Sequence, residues 1–188
     1  MSAVEIIDDD TFLGAENTGN FFVCQKESSA TTEEDRKQLQ TIAKFHLGSF
    51  VNVIRHGSLA IHYGAQDTTV LPHKGILYGT IDGAIGIIVQ LGSDIFGLLK
   101  DLQQRMVKTV KPLGKIDHGS WRNFYTERRT EPAEGFIDGD LIEQFLDLPK
   151  SKIIELTKEL FIDEGQGRKR SLSTEDVIKL VEDLTRIH

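Results

Sequence analysis

The chemistry-bearing residues of this 188-residue chain are six histidines (His46, His56, His62, His73, His118 and His188), one cysteine (Cys24) and the carboxylate pair Asp138 and Asp140. No two histidines stand three or four residues apart, the spacing that puts both imidazoles on one helix face, and Cys24 adds no second thiolate, so no metal motif is present. Asp138 and Asp140 flank Gly139 in the pattern of an acid and base pair. Helix capping explains them better, because an acid at a helix start also meets the positive end of the helix dipole. Ser120, Ser173 and Cys24 have no neighbouring His and Asp pattern that makes a nucleophile. The glycines Gly79, Gly83 and Gly86 in GTIDGAIG invite comparison with a phosphate-cradling loop, yet no Lys-Ser or Lys-Thr follows and Asp82-Gly83 reads as a hairpin turn. Arg168-Lys169-Arg170 reads as solvated loop charge before it reads as a nuclear import signal or a phosphate contact. Trp121, Phe124 and Tyr125 have the faces to stack on bases, but aromatics beside a helix more often anchor a core or an interface. The expectation is a non-catalytic protein with no cofactor or metal.

The elements that position these residues fall in two regions. Val4–Ile7, Phe12–Ala15 and Phe21–Val23 are short apolar runs separated by Asp8-Asp9-Asp10 and Asn17-Thr18-Gly19-Asn20, the pattern of a strand meander. Further strands are expected at Leu39–Leu47, Phe50–Ile54 and Ser58–Tyr63, with polar loops over Glu27–Lys37 and Gly64–Lys74. Gly75–Gln90 predicts a hairpin with a type I′ turn at Asp82-Gly83. Seven or eight short strands in this space point to a sandwich, a barrel or propeller blades, and unclosed edges favour a piece of a larger ring.

From Ser93, a candidate N-cap, Ile95, Leu99, Leu102, Met106 and Val110 recur at the spacing of one buried helical stripe that stops before Pro112. A short helix or turn is expected around Trp121 and a surface loop over Glu127–Gly135. Helices follow at Gly139–Leu146, with Asp140 and Glu143 as a capping box, from Pro149 to about Phe161, and from Ser173, with Asp176 three residues on. A mobile loop is expected at Asp163–Arg170, and beyond Leu148 helices alone. The division is thus a β region over 1–92 and an α region over 93–188.

Composition bounds the partners. With 39 % hydrophobic residues the chain has material for a core, and its net charge of −7, split as −5 over 1–92 and −2 over 93–188, opposes a general affinity for nucleic acid backbone. One cysteine excludes an internal disulfide and fits cytosol or nucleus. No apolar run reaches the roughly 20 residues of a membrane span, and no secretory signal is read at the N-terminus.

Several segments carry a resemblance: FLGAEN (Phe12–Asn17), FHLGSFVN (Phe45–Asn52), RHGSL (Arg55–Leu59), GTIDGAIG (Gly79–Gly86), TERRTEPAEGFIDGDLIEQFLDL (Thr126–Leu148) and VEDLTRIH (Val181–His188). Together they resemble the cleavage and polyadenylation specificity factor A subunit superfamily. FIDGDL is shared with its RNA-processing members, whereas the longer TERRTEPAEGFIDGDLIE is similar to the damaged-DNA-binding branch.

Over essentially the whole chain, the resemblance implies the last blades of a seven-bladed β-propeller followed by a C-terminal helical domain. In that branch three propellers form an adaptor between a cullin-4 ubiquitin ligase scaffold and interchangeable WD-repeat substrate receptors. The propeller that holds the cullin is not in this chain, and Met1 is then expected to be an internal methionine of a longer protein. By motif, Ser2, Ala3, Asn17, Phe50, Asn52 and Val53 are implied to lie on the receptor-binding face. Thr18-Gly19 stands where the family leads one to expect a small and then a larger apolar residue, so less is buried there. The resemblance further implies a nuclear and cytoplasmic protein that meets damaged DNA indirectly and no membrane. The second implied class is a nucleic acid-binding or RNA-processing module.

Overall fold

A computed structural model of the chain describes residues 1–27, 32, 37–59, 75–163, 165 and 168–187. Most of the loop expected at Glu27–Lys37, the strand at Ser58–Tyr63 beyond Leu59, the loop up to Lys74, part of the loop at Asp163–Arg170, and His62, His73 and His188 lie outside these residues.

In chain order the strands β1 (Ala3–Ile6), β2 (Thr11–Ala15), β3 (Asn20–Lys26) and β4 (Leu39–His46) make an antiparallel sheet in sequential order. A second sheet has β5 (Val51–His56), β6 (Gly75–Thr80) and β7 (Ile85–Val89), again in order. Then come α1 (Ser93–Thr109), α2 (His118–Arg122), β8 (Phe124–Tyr125), β9 (Thr130–Glu131), α3 (Gly139–Glu143), α4 (Lys150–Thr157), β10 (Phe161–Asp163), β11 (Lys169–Ser171) and α5 (Thr174–Thr185). Residues 1–57, 76–88 and 116–136 form one compact unit, and residues 89–115 and 137–187 belong to the other. Residues 116–136 therefore pack with the strands, although they follow the composition change at 92.

The strand unit is built on alternation. Leu13, Ala15, Phe21, Phe45, Val51, Ile54 and Ile76 point inward as one buried cluster. Its two tight hairpins share one design. At β2–β3, Glu16 N–H donates to Asn20 C=O (2.8 Å) and Gly19 N–H to Glu16 C=O (3.0 Å); at β6–β7, Thr80 N–H donates to Ala84 C=O (2.9 Å) and Gly83 N–H to Thr80 C=O (3.1 Å). In each loop the third residue alone, Gly19 or Gly83, takes positive φ, at 78° and 87°. This corrects the expected type I′ turn, which needs positive φ at both central residues; the hairpin stands, but its loop is the three-residue Ile81-Asp82-Gly83 closed by a left-handed glycine.

The helical unit buries Leu98, Leu99, Leu102, Met106, Phe145, Leu156, Leu160, Val177 and Val181 in one cluster. α1 follows its predicted stripe, but its N-cap is Gly92 in extended backbone rather than Ser93. α3 is capped at Asp138, not Asp140, and no side-chain cap bond forms, so the expected Asp140–Glu143 capping box is absent. The Asp138 N–H instead donates to Gln103 Oε1 of α1 (2.7 Å). After Glu143 the chain continues in i to i+3 turns through Leu148, tighter than the predicted helix.

α4 stops at Thr157, short of Phe161, because Glu159 takes φ 57° and reverses the chain. Arg105 of α1 caps that end, donating to the carbonyls of Leu156 (2.9 Å), Lys158 and Glu159 (3.1 Å), which otherwise lack helical partners. The strands β10 and β11 correct the expectation of helices alone beyond Leu148: Ile162 turns inward while Phe161 and Asp163 face out, a period too short to read from three residues. β9 likewise lies within the expected 127–135 loop. The box at Ser173 forms as predicted, with Asp176 N–H to Ser173 Oγ and Ser173 N–H to Asp176 Oδ2, both 3.1 Å. Hydrogen bonds to the Ser173 side chain and backbone hold the Asp176 carboxyl below its ordinary range.

Candidate partner-binding face

The register of the strands brings the six residues implied by motif to one end of the strand unit. β1 lies beside β5, with His56 Nε2 2.6 Å from Ile6 C=O at their far ends. At the near end, Ser2 N–H donates to Ala15 C=O (2.8 Å), and Ala3 pairs with Ala15, so both stand beside the β2–β3 turn that carries exposed Asn17. That turn is tied to the β4–β5 connection, because Gly19 C=O accepts from the Leu47 (2.9 Å) and Gly48 (3.1 Å) N–H groups. The connection leads directly to half-buried Phe50, whose carbonyl accepts from Ile81 N–H (3.0 Å).

Asn52 and Val53 are exposed for a local reason. Val51 pairs with Thr80 and Val53 with Gly79, so Asn52 is an extra residue, a β-bulge. The bulge breaks the two-residue alternation: Val51 and Ile54 are each only 1 % exposed, while Asn52 and Val53 both face outward. Two adjacent side chains therefore present together, which a regular strand does not allow. Ser2 and Ala3 are partly buried, and the Ser2 hydroxyl is a buried oxygen with no hydrogen-bond partner.

Beneath this end sits a polar cluster that motif reasoning missed. Asn20, only 1 % exposed, donates through Nδ2 to Tyr125 C=O (2.6 Å) and Thr18 Oγ1 (2.9 Å). Its Oδ1 lies 2.8 Å from His46 Nδ1, and as a carbonyl oxygen it can only accept, so the His46 proton is on Nδ1. Arg122, 6 % exposed, donates to the carbonyls of His46 (3.3 Å) and Leu47 (3.4 Å), with its guanidinium 4.7 Å from the Phe45 ring centre and 5.5 Å from that of Trp121. Trp121, 45 % exposed, lies over Gly48, where an added Cβ would come within 2.6 Å of its ring. Outside the cluster, Lys44 pairs with Glu131, whose other oxygen lies 2.9 Å from Arg129, and Lys44 bridges Glu134 through both backbone groups. The Lys44 hydrogen bond, then the cations, hold the Glu131 carboxyl below its ordinary range.

This arrangement offers apolar and amide contact surface. Among the described residues, no three His, Cys, Asp or Glu side chains gather to hold a metal ion, and no helix is long and apolar enough to cross a membrane.

A family model described as the CPSF A subunit region matches residues 1–147. The chain belongs to this family. Proteins named DNA damage-binding protein 1 are 52 % identical to it over 189 residues in Drosophila melanogaster and 42 % over 188 residues in Solanum lycopersicum and in Oryza sativa. Each alignment covers 100 % of this chain and 16 % of the relative, so the chain spans about a sixth of the length of these relatives.

The cluster also sets a pH dependence. Burial, and then the Arg122 charge, hold the His46 imidazole below the ordinary value of 6.5. The unfolded chain therefore binds a proton first as pH falls through 6.5, so this contribution to stability is complete above 6.5 and is lost as pH drops from there to the folded value. Urea midpoints between pH 7.5 and pH 5 should fall more steeply for the unsubstituted chain than for His46→Gln; equal slopes would contradict this sign.

Proposed function

We propose that the chain is the C-terminal part of a non-enzymatic adaptor that links WD-repeat substrate receptors to a cullin-4 ubiquitin ligase in DNA repair and protein turnover, in nucleus and cytoplasm. The observation that carries the reading is the 52 % identity, over the whole chain, with a protein named for binding damaged DNA. In this reading β1–β4 and β5–β7 are blades of a propeller, and α1, α3, α4 and α5 belong to the helical domain that follows it. Cullin contact falls to parts of the adaptor outside this chain, and damaged DNA is met through the receptors.

The receptor-facing residues are Ser2, Ala3, Asn17, Phe50, Asn52 and Val53. A receptor helix buries apolar side chains on Phe50 and Val53, while Asn17 and Asn52 satisfy polar groups at the rim, the division between apolar centre and polar edge common to such interfaces. The bulge at Asn52 supports this division, since it turns an amide and an apolar side chain outward side by side.

The test uses the longest protein expressed from the gene that carries this sequence, recovered from nuclear extract. Cullin-4 and WD-repeat receptors are expected with it, and the double substitution Phe50→Ala, Val53→Asp should lower receptor affinity by at least about tenfold with cullin-4 retained. Recovery of neither protein sinks the proposal. Submicromolar, salt-sensitive binding of damaged duplex by the isolated chain would favour a nucleic acid-binding module instead.

A further inference from the structure

The β4–β5 connection that delivers Phe50, Asn52 and Val53 to the surface has no regular secondary structure between His46 and Val51. Its geometry is set from two sides. On one side the β2–β3 turn offers the Gly19 carbonyl to the Leu47 and Gly48 N–H groups. On the other, Arg122 donates to the carbonyls of His46 and Leu47. The amides and the carbonyls of this short segment are thus held by different partners, one from a hairpin turn 28 residues or more earlier and one from a helix more than seventy residues later.

Arg122 is a buried cation lying 4.7 Å from the Phe45 ring centre and 5.5 Å from that of Trp121, and such a group persists only where its interactions offset desolvation. The planar guanidinium also holds Trp121 over Gly48, closing the connection from outside. Lysine lacks the planar fork and does not stack, so it is a partial substitute.

We propose that Arg122 is a positioning residue for the receptor-facing end: it fixes the backbone of residues 46–48 and through it the outward presentation of Phe50, Asn52 and Val53. The inference rests on the adaptor reading for its functional consequence, but the positioning itself is a property of the chain. With only 6 % of its surface exposed, Arg122 acts through the backbone it holds. Its contribution is to lower the ordering cost of docking, which a preorganised surface has already met.

Amide hydrogen exchange on the chain, unsubstituted and as Arg122→Lys and Arg122→Met, tests the positioning without a receptor. Exchange at Leu47, Asn52 and Val53 should accelerate in the order Arg, Lys, Met, by about tenfold or more in the Met variant, and by more than at the β2 and β3 amides. Acceleration spread evenly over β2, β3 and the connection, or none in the connection, overturns the proposal, because a merely structural arginine loosens the whole unit alike. Should the Met variant fail to fold, the Lys variant decides by the same comparison.

The functional arm measures dissociation of a purified WD-repeat receptor recovered with the full-length protein. Faster release from Arg122→Lys supports the proposal, and release unchanged while Phe50→Ala weakens binding overturns its functional half. A receptor that ignores both Phe50→Ala and Arg122→Lys overturns the adaptor reading instead, and the exchange ordering still decides whether Arg122 positions the connection.

Discussion

Phe145→Ala is expected to destabilise the helical unit by about 3–5 kcal/mol, the range for removing a fully buried phenylalanine. The Phe145 side chain has no exposed surface and packs in the same buried cluster as Leu102, Met106, Leu141, Leu160, Val177 and Val181. Its backbone sits in the i to i+3 turns after α3, where Phe145 N–H bonds Ile142 C=O (3.0 Å), so truncation removes ring contacts without touching a hydrogen bond. Neighbouring side chains come from α1, α3, α4 and α5, elements that cannot all collapse into one void, so most of the cavity term should survive. With a urea slope of about 2 kcal/mol/M, the midpoint of the helical transition should fall by about 1.5–2.5 M. Since domains are stable by only about 5–15 kcal/mol, that is about a fifth or more of the margin. Phe145→Leu, which keeps most of the volume, should cost less than half as much. A shift under about 0.5 M for Phe145→Ala would mean that the ring is not central to this core.

Phe145 also marks what can be read from a sequence and what cannot. Its burial was legible, because Leu141, Ile142, Phe145 and Leu146 share one helical face, just as Ser173 and Asp176 announced the start of α5 through a local hydrogen-bond pair. The β2–β3 and β6–β7 hairpins were legible from their Asn-rich and Asp-Gly turns. Their loop type was not, because Asp-Gly serves a two-residue loop and a three-residue loop equally well, and only the partner of the Thr80 carbonyl distinguishes them.

The cap of α3 sits at Asp138, one of the two expected helix-start acids, rather than in a box at Asp140, for a related reason. Asp138 and Asp140 have the same local chemistry, and the Asp138 N–H is satisfied by Gln103, thirty-five residues away. The end of α4 depends likewise on Arg105, fifty-one or more residues upstream. At the end of the strand unit that carries Asn17 and Phe50, the bulge that exposes Asn52 beside Val53 follows from pairing with β6, and the cluster of Asn20, His46 and Arg122 from contacts across 26 to 105 residues. Where partners are distant, residue type announces that a group needs satisfying without naming what satisfies it.

The segment 124–136 shows the same distance dependence, and Gly135→Ala is the substitution that exposes it. Gly135 has φ 73°, and a Cβ there would lie 2.5 Å from Ala43 Cβ, 2.9 Å from Ala43 Cα and 3.0 Å from Ile42 O. Two of those atoms are backbone of β4, so the strand cannot yield by a rotamer change. The left-handed conformation alone costs an alanine about 1–2 kcal/mol. Pushing the segment away from β4 adds the loss of Lys44 N–H to Glu134 C=O (2.7 Å) and Glu134 N–H to Lys44 C=O (2.8 Å), about 0.5–1.5 kcal/mol each.

The expected loss is therefore on the order of 3 kcal/mol, read as the urea midpoint of the strand unit. Gly83→Ala is the control within the same unit, because Gly83 has φ 87° but nothing within 4 Å of its Cβ position, so only the conformational cost applies. The difference between the two variants isolates the contact with β4. Equal losses would mean that the segment is not pinned at Ala43, and the Phe45 to Phe136 ring pair, 5.5 Å apart, would then be a loose contact rather than the floor on which Arg122 rests. A larger loss at Gly135 places that floor, and with it the carbonyls Arg122 holds, under the control of backbone more than eighty residues beyond β4.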